Sequence, residues 1–445
     1  MHGVDYIFLL CVVLTTGAAV QGVVFNSFRW HAPRNAADIS FREPAPVGTR
    51  LPSMAILVPA RHEEQVLTET LLKLCQQGYP ELKVVAIIGH DDPETLVAAE
   101  AAAYLYPETV SIVIDHSWPK SKPKALASAL PVVEADIVGV IDAEDDVAAG
   151  LCRRVAGEFL ADPAIDVVQG GVHLVNLNGP WFAIRNAVEY VLWYSSRLPY
   201  QARLGFIPIG GNTCFFRWSA VLAVGGWDRE ALAEDADIGV RLAAAGAKVA
   251  VRYDEGLATR EECPTSTSGL VKQRVRWYQG FIQIIRKREW RSLSRRHQLL
   301  AMVTLAAPLL QFLSALMLPG VLLFVGLTRS LSVDLVLAAF VPLFVELVAL
   351  VLEVDALIRL RQAEGGGKVR VRDVFWLVVS IIPYQLMMGL ALITAAVREI
   401  RGNHSWAKTD HVGSHRKHTE QVIDLRGLER KKVAASAEAN EKAYP

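Results

Sequence analysis

Three stretches of this chain carry no charged side chain, residues 6–28, 299–327 and 374–397. Each reaches the roughly 20 apolar residues that a helix needs to cross a bilayer. Such runs are not the interior of an ordinary soluble domain, so the chain is expected to be a multi-pass membrane protein. A fourth, less uniform run, residues 332–352, contains Asp334 and Glu346. The first run follows Met1-His2-Gly3-Val4-Asp5, which has no positive charge, and no small-residue cleavage site comes after it. It therefore reads as a retained span and not as a removed leader. Arg29, Arg34, Arg42 and Arg50 come next, which by the positive-inside rule puts the following segment in the cytoplasm. The loop 359–373, with five bases and two acids, belongs on the same side. The tail after residue 397 is basic as well, and a single crossing by 374–397 cannot join two inside segments. Pro383 near the middle of that run leaves a re-entrant or interfacial segment and a true span both open.

Between the spans the chain is of a different kind. Its 46 Lys+Arg balance 46 Asp+Glu overall, but the balance hides local bias. Val271 to Arg296 holds nine bases and one acid, whereas Ala231 to Asp237 holds three acids and no base. A basic belt beside membrane spans suits anionic lipid, which is the reading for Arg286, Lys287, Arg288, Arg291, Arg295 and Arg296, and no nucleic-acid partner is implied. The five cysteines are odd in number and scattered without a CxxC pair, which argues against a disulfide framework or a zinc site. His404, His411, His415 and His418, beside Asp410, are read as a solvated tail. Short β-rich stretches alternate with helical ones, the pattern of an α/β domain with a largely parallel sheet. Strands are expected at Met54 to Pro59, Lys83 to Ile88, Val110 to Ile114, Ile137 to Ile141 and Val167 to Val172. Helices are expected at Glu63 to Gln77, Glu94 to Tyr104 and Pro123 to Val133. Such sheets bind ligands at the carboxyl ends of their strands.

Acidic residues stand at two of those ends, Asp91 and Asp92 after the second strand and Asp142, Glu144, Asp145 and Asp146 after the fourth. In Val138-Gly-Val-Ile-Asp-Ala-Glu-Asp-Asp146 a strand delivers carboxylates at alternating positions, a donor set for a hard cation such as Mg²⁺ or Mn²⁺. A solvated acidic turn has the same composition. Glu234, Asp235 and Asp237 open a helical stretch, as acids do at a helix N-terminus; alternatively Asp235 is a general base for an acceptor hydroxyl. In Lys272-Gln-Arg-Val-Arg-Trp-Tyr-Gln-Gly280, Gln273, Arg276 and Trp277 share one helical face, where arginine suits a diphosphate. The aromatic stretch from Trp181 to Tyr200, with Phe182, Tyr190, Trp193 and Tyr194, reads as core or membrane-facing, or as the wall of a sugar path.

Taken in order, Val58-Pro-Ala-Arg-His-Glu-Glu64, Asp91-Asp92, Asp142-Ala-Glu-Asp145, Gly210-Gly-Asn212, Gly225-Gly-Trp-Asp228, Glu234-Asp235 and Gln273-Arg-Val-Arg-Trp277, followed by membrane spans, resemble the family 2 glycosyltransferases. Within them the set looks like the membrane-embedded branch of cellulose, hyaluronan and poly-N-acetylglucosamine synthases, which share a QxxRW signature. The resemblance covers roughly residues 52–280. It implies a Rossmann-like GT-A α/β fold and inverting transfer from a nucleotide sugar, a UDP-sugar in this branch. It implies that Pro59, Ala60, Glu63 and Asp92 hold the base and ribose, with Lys122 of Lys122-Pro-Lys-Ala-Leu126 at the nucleotide. Asp142 and Glu144 then stand at the metal and diphosphate, with Asp145 as an alternative ligand, and Asp235 is the base. Gln273, Arg276 and Trp277 close over the diphosphate and acceptor, and Gly210, Gly211 and Asn212 shape the acceptor side. The sequence departs from the family at His62, where Asn is frequent, at Glu144 for the second Asp of DxD, at Ala233 for the Thr of TED, and at Ala127 for Asn.

The expected organisation is a transmembrane helix over residues 1–28, a linker over 29–50, a cytoplasmic GT-A domain over 51–270, the QxxRW and basic interfacial helix over 271–298, a membrane region of two or three spans over 299–397, and a basic polar tail over 398–445. The expected activity, at the plasma membrane, is sugar addition to a growing polysaccharide with Mg²⁺ or Mn²⁺. Single transfer to a lipid-linked acceptor such as a polyprenyl phosphate is the alternative, and an inactive nucleotide-binding scaffold is the rival of another class.

Overall fold

From residue 54 onward, runs of β-branched residues alternate with helices that can cover both faces of a sheet. The computed structural model describes residues 3–31, 39–46, 48–206, 208–328, 333–364 and 367–405. His411, His415, His418 and most of the expected tail lie outside them. The strands are β1 (Met54–Ala60), β2 (Leu82–Gly89), β3 (Val110–Asp115), β4 (Ile137–Val140), β5 (Ile165–Gln169), β6 (Val172–Leu174), β7 (Cys214–Arg217), β8 (Lys248–Val251) and β9 (Thr259–Glu261). Seven form one sheet in the order β3-β2-β1-β4-β7-β5-β8, and β6 pairs with β9 in a second. In β1, Met54 to Val58 are buried without interruption, as befits a strand covered on both faces.

The sheet is mixed and not simply parallel. β3, β2, β1 and β4 run together, but β7 is antiparallel to both β4 and β5. The expected strand Val167 to Val172 is in fact two strands of different sheets. The break falls at Gly170-Gly171, where a Cβ on Gly171 would stand 2.7 Å from the Tyr253 ring. Under this second sheet His173 shares a hydrogen bond with the Tyr253 hydroxyl, and both are buried. Burial lowers the His173 pKa from 6.5 to about 4, so the folded protein takes up this proton later than the unfolded chain does. Its contribution to stability is full above pH 6.5 and is lost as pH falls toward 4, on the order of 3 kcal/mol. Thermal melts of the wild type should fall over this window more steeply than those of His173→Gln, and parallel curves would contradict the assignment.

The helices are α1 (Gly3–Asn26), α2 (Leu67–Cys75), α3 (Pro93–Leu105), α4 (Lys122–Ala129), α5 (Leu151–Ala161), α6 (Ala183–Leu192), α7 (Leu198–Leu204), α8 (Trp218–Ala223), α9 (Glu234–Ala244), α10 (Thr267–Lys287), α11 (Arg295–Leu305), α12 (Ala307–Thr328), α13 (Val333–Ala363), α14 (Val371–Val379) and α15 (Ile381–Ile400). A π-helical turn, Trp193–Arg197, joins α6 to α7. Among the described residues, Phe8–Asn26, Val336–Ala363 and Ile381–Ile400 are long and apolar enough to cross a membrane. Two of the uncharged runs are broken. Residues 299–327 divide between α11 and α12 at Ala306, and 374–397 divide between α14 and α15 at Ser380. α1 packs on α12 and α13, and α12 packs on α15, where a Cβ on Gly389 would overlap the Phe312 ring.

α15 runs alongside α10 in the same direction. At one end Arg274 donates to the Tyr384 hydroxyl at 3.1 Å. At the other, Gln279 donates to Glu399 at 3.2 Å and to the Asn403 carbonyl at 2.8 Å, and Arg286 pairs with Glu399. Both ends of α15 therefore stay beside α10.

Candidate active site

The carboxyl ends of β1 and β4, the π-turn, and the first turn of α9 converge with α10 on one cavity of about 440 Å³. After β4 the chain makes a tight turn, in which the Asp145 N–H bonds back to the Asp142 carbonyl at 3.2 Å. Asp142 and Glu144 face the cavity while Ala143 and Asp145 are buried beneath it. The Asp145 carboxylate is committed there: it accepts the Asp142 backbone N–H at 2.9 Å and the Asn212 side-chain amide at 3.0 Å. It braces the loop from below and is not placed as a ligand alternative to Glu144.

Lys122 is the cation at the centre of the acidic wall. Its Nζ lies 2.5 Å from Asp142, 3.7 Å from Glu234, and donates to the Gly211 carbonyl at 2.7 Å. Burial pulls the lysine down, but these carboxylates outweigh that effect and raise its pKa. Burial raises Asp142, and Glu144 adds to it while Lys122 opposes it. Glu261, at the end of β9, also lines the cavity. Burial with Glu144 and Asp142 pushes it up to about 8. Asp142 and Glu261, both raised in the presence of Glu144, describe a local excess of negative charge.

Asp235 sits in the first turn of α9, with Oδ1 accepting the Ala236 N–H at 2.8 Å. Its Oδ2 lies 3.0 Å from where a Cβ on Gly211 would be, so the glycine leaves that oxygen room. Burial is the main cause raising the Asp235 pKa, while burial and Asp235 itself push Glu234 up to about 7 against Lys122. Ala233, at the N-cap, supplies no capping bond. It instead meets α10, where a Cβ on Gly280 would come within 2.6 Å of the Ala233 nitrogen. That contact, with Gln283 accepting the Leu232 N–H at 3.0 Å, fixes α10 against the Asp235 turn. Gln273, Arg276 and Trp277 all reach the cavity from α10, and the buried Gln273 Oε1 has no hydrogen-bond donor among the described residues.

The structure brings Pro59, Ala60, Glu63, Lys122, Asp142, Glu144, Gly211, Asn212, Asp235, Gln273, Arg276 and Trp277 to this one cavity, together with Tyr190, Trp193 and Tyr194. Asp92 is not among its lining residues. Its buried carboxylate accepts the Thr95 N–H at 3.3 Å, capping α3, and the His62 N–H at 2.6 Å, where φ is +54°. It thereby holds the turn that carries Glu63. The basic stretch also departs from its expected role. Lys287 bridges Asp228 at 2.5 Å and Asp237 at 2.6 Å, and Arg286 pairs with Glu399, so both are bound within the protein.

Sequence reading missed Glu261, Arg185 and Arg274. Glu261 stands in an acidic pair just before Cys263-Pro264, a signal without a motif of its own. Arg274 makes a two-bond pair with Glu189 at 2.7 and 2.8 Å and a bond to Asn186 at 2.7 Å. Arg185 binds Glu353 of α13 through both Nη atoms and donates to Ser380. These two side chains join the cavity wall to the membrane helices.

The family described as "Glycosyltransferase like family 2" matches residues 52–280. Among curated proteins, a beta-monoglucosyldiacylglycerol synthase of Synechocystis sp. is 27% identical over 234 residues, 52% of this chain and 48% of that protein. A poly-beta-1,6-N-acetyl-D-glucosamine synthase of Staphylococcus aureus is 24% identical over 236 residues, 53% of this chain and 56% of that protein. The chain thus spans about half the length of the curated relatives it matches. Among solved structures, the mannosyltransferase PcManGT from Pyrobaculum calidifontis, in complex with GDP-Man and Mn²⁺, superimposes with a TM-score of 0.58 at 20% identity. The match covers 88% of this chain and 99% of that one, so the fold is shared across nearly the whole of both.

Proposed function

We propose, from the fact that this chain belongs to glycosyltransferase family 2, an inverting transfer from a nucleoside-diphosphate sugar to an acceptor hydroxyl delivered from the membrane. The observation that carries this reading is the single cavity. It contains Asp235, Lys122 and the Gln273-Arg276-Trp277 face, and it extends to side chains of α1, α12, α13 and α15. We read residues 51–270 as the transferase domain, on the cytoplasmic side of the plasma membrane, with α15 as an interfacial helix.

The donor set fits a divalent cation. Glu144 raises the pKa of both Asp142 and Glu261, and Lys122 lies 2.5 Å from Asp142. Among the described residues no three acidic, histidine or cysteine side chains form a ready-made cage. Mg²⁺-type sites commonly use one or two carboxylates and leave the remaining positions to water and substrate phosphates. When bound there, Mg²⁺ or Mn²⁺ supplies charge neutralisation for the leaving diphosphate; GDP-Man and Mn²⁺ in the Pyrobaculum enzyme agree with that choice. Arg276 adds a guanidinium suited to the same diphosphate, and Gln273 offers its free carbonyl to a sugar hydroxyl. Asp235 takes the proton of the acceptor hydroxyl as that oxygen attacks the anomeric carbon from the face opposite the diphosphate.

The acceptor is read as a lipid, as the name of the Synechocystis relative suggests. A growing glycan is the second reading, favoured by the rings of Tyr190, Trp193, Tyr194 and Trp277 along the cavity. The test is nucleoside diphosphate release by the lipid-reconstituted protein over a panel of UDP- and GDP-sugars with Mg²⁺ or Mn²⁺. Release with one donor is expected, with loss of about 100-fold or more on chelation and a product that partitions into organic solvent. Undiminished release in EDTA would remove the metal, and a water-soluble polymer would select the glycan reading.

A further inference from the structure

The cavity continues beyond the transferase residues. Its wall also includes Gln21 of α1, Gln311 of α12 and Glu346 of α13. Arg197, the last residue of the π-turn, also lines the cavity and is only 8% exposed. Its guanidinium lies 5.5 Å from the centre of the Phe25 ring and 5.4 Å from that of Trp193. Of the described basic side chains lining the cavity besides Arg276, Arg61, Lys120, Lys122, Arg185 and Arg274 each have a carboxylate within salt-bridge distance. Arg197 has none among the described residues, and its buried Nε has no acceptor. Gln21, four residues before Phe25, likewise has a buried Nε2 without an acceptor among the described residues. Burial lowers the Arg197 pKa only to about 10, so the group is cationic at neutral pH. Glu189 acts on it from beyond salt-bridge distance and is itself held by Arg274, and leaving a buried charge with no contacting counter-charge is costly. The two rings stabilise it but provide no hydrogen-bond acceptor. A phosphate would, because a planar guanidinium matches its oxygens in pairs.

Asp235 restricts what that phosphate can be. A general base assists a hydroxyl; a phosphate oxygen is already ionised at neutral pH and would be repelled by the carboxylate. The phosphate at Arg197 is therefore not the nucleophile. The two points are connected through the glycine pair. The Tyr194 hydroxyl lies 2.7 Å from where a Cβ on Gly210 would be, as Asp235 Oδ2 lies against Gly211.

We propose that Arg197 and Gln21 form the phosphate subsite of the acceptor, a membrane phospholipid whose headgroup hydroxyl is presented to Asp235. The inference rests on the transferase reading above. In the step, the headgroup hydroxyl gives its proton to Asp235 and its oxygen bonds to the anomeric carbon. The bond from that carbon to the diphosphate oxygen breaks, the nucleoside diphosphate leaves with the electron pair, and the lipid phosphodiester is unchanged.

The experiment uses the full chain in vesicles, with phosphatidylglycerol and phosphatidylinositol compared against diacylglycerol and glucosyl-diacylglycerol of the same acyl chains. The phospholipids should be glycosylated with a KM at least about tenfold lower than the neutral lipids. Arg197→Gln should raise the phospholipid KM by about tenfold or more while kcat and the donor KM hold, and Arg197→Lys should recover part of the loss. Equal use of neutral and phosphate-bearing lipids by the wild type, or an unchanged KM in Arg197→Gln, overturns the proposal. Inorganic phosphate that restores turnover of neutral lipid to the phospholipid level assigns the site to free phosphate and overturns it too. Binding is read separately from turnover. Phosphatidylglycerol, and not diacylglycerol, should raise the melting temperature of the wild type, so a chain without transferase activity fails the first assay while this one still decides the subsite. Should Arg197→Gln not fold, the wild-type selectivity in both assays decides.

Discussion

Asp235→Asn should abolish measurable sugar transfer, lowering turnover by roughly 10²- to 10⁴-fold, while leaving the fold and donor binding in place. Asparagine keeps the size of the side chain and an oxygen that can accept the Ala236 N–H now bound at 2.8 Å, so the first turn of α9 is retained. What is lost is the ionised oxygen beside Gly211. The pH profile gives a second check. Burial raises the Asp235 pKa, and the base must be ionised to work, so wild-type activity should climb with pH through a midpoint above the usual carboxylate range. The residual activity of the variant should lack that acid limb. Normal nucleoside diphosphate release from a folded Asp235→Asn protein would remove Asp235 as the base.

Lys122→Met should cost both stability and activity. The lysine neutralises Asp142 at 2.5 Å and Glu234 at 3.7 Å and ties α4 to the Gly211 carbonyl. Removing one partner from a buried charge cluster typically destabilises by about 3–5 kcal/mol. The deficit should shrink at acid pH, because protonation of the freed carboxylates relieves it, and Glu234 already sits near 7 with the lysine in place. Urea or thermal melts at pH 8 and pH 5 measure both the loss and its narrowing. A variant as stable as the wild type at pH 8 would show that Lys122 is not the counter-charge of this wall.

Much of the strand pattern was legible because buried parallel strands read as unbroken apolar runs. The observed β1 to β4 lie within a residue or so of the expected segments. Direction was not legible: nothing in Cys214-Phe-Phe-Arg217 says that this strand inserts antiparallel between β4 and β5. Nor does hydropathy report a turn inside an apolar run, so the breaks at Ala306 and Ser380 were invisible. In the site, the ordered motifs pointed to Lys122, Asp142, Glu144, Asp235 and the α10 face, which share one cavity. They also pointed to Asp92 and Asp145, whose carboxylates are turned inward to hold a helix cap and a loop. An acidic residue in a motif looks the same whether it faces ligand or backbone. Arg185 and Arg274 escaped notice because the partners that explain them, Glu353 and Tyr384, lie far along the chain.

Those two arginines carry a practical meaning. Cutting the chain after α10 to obtain a water-soluble catalytic fragment would remove Glu353, Ser380, Tyr384 and Glu399 together. It would strip Arg185 of its carboxylate and Gln279 of its acceptors, and bare the apolar side of the helix that bears Gln273, Arg276 and Trp277. The transferase and its anchor are a single unit of purification, and the detergent or lipid chosen to extract it acts on the catalytic wall as directly as any substitution within it.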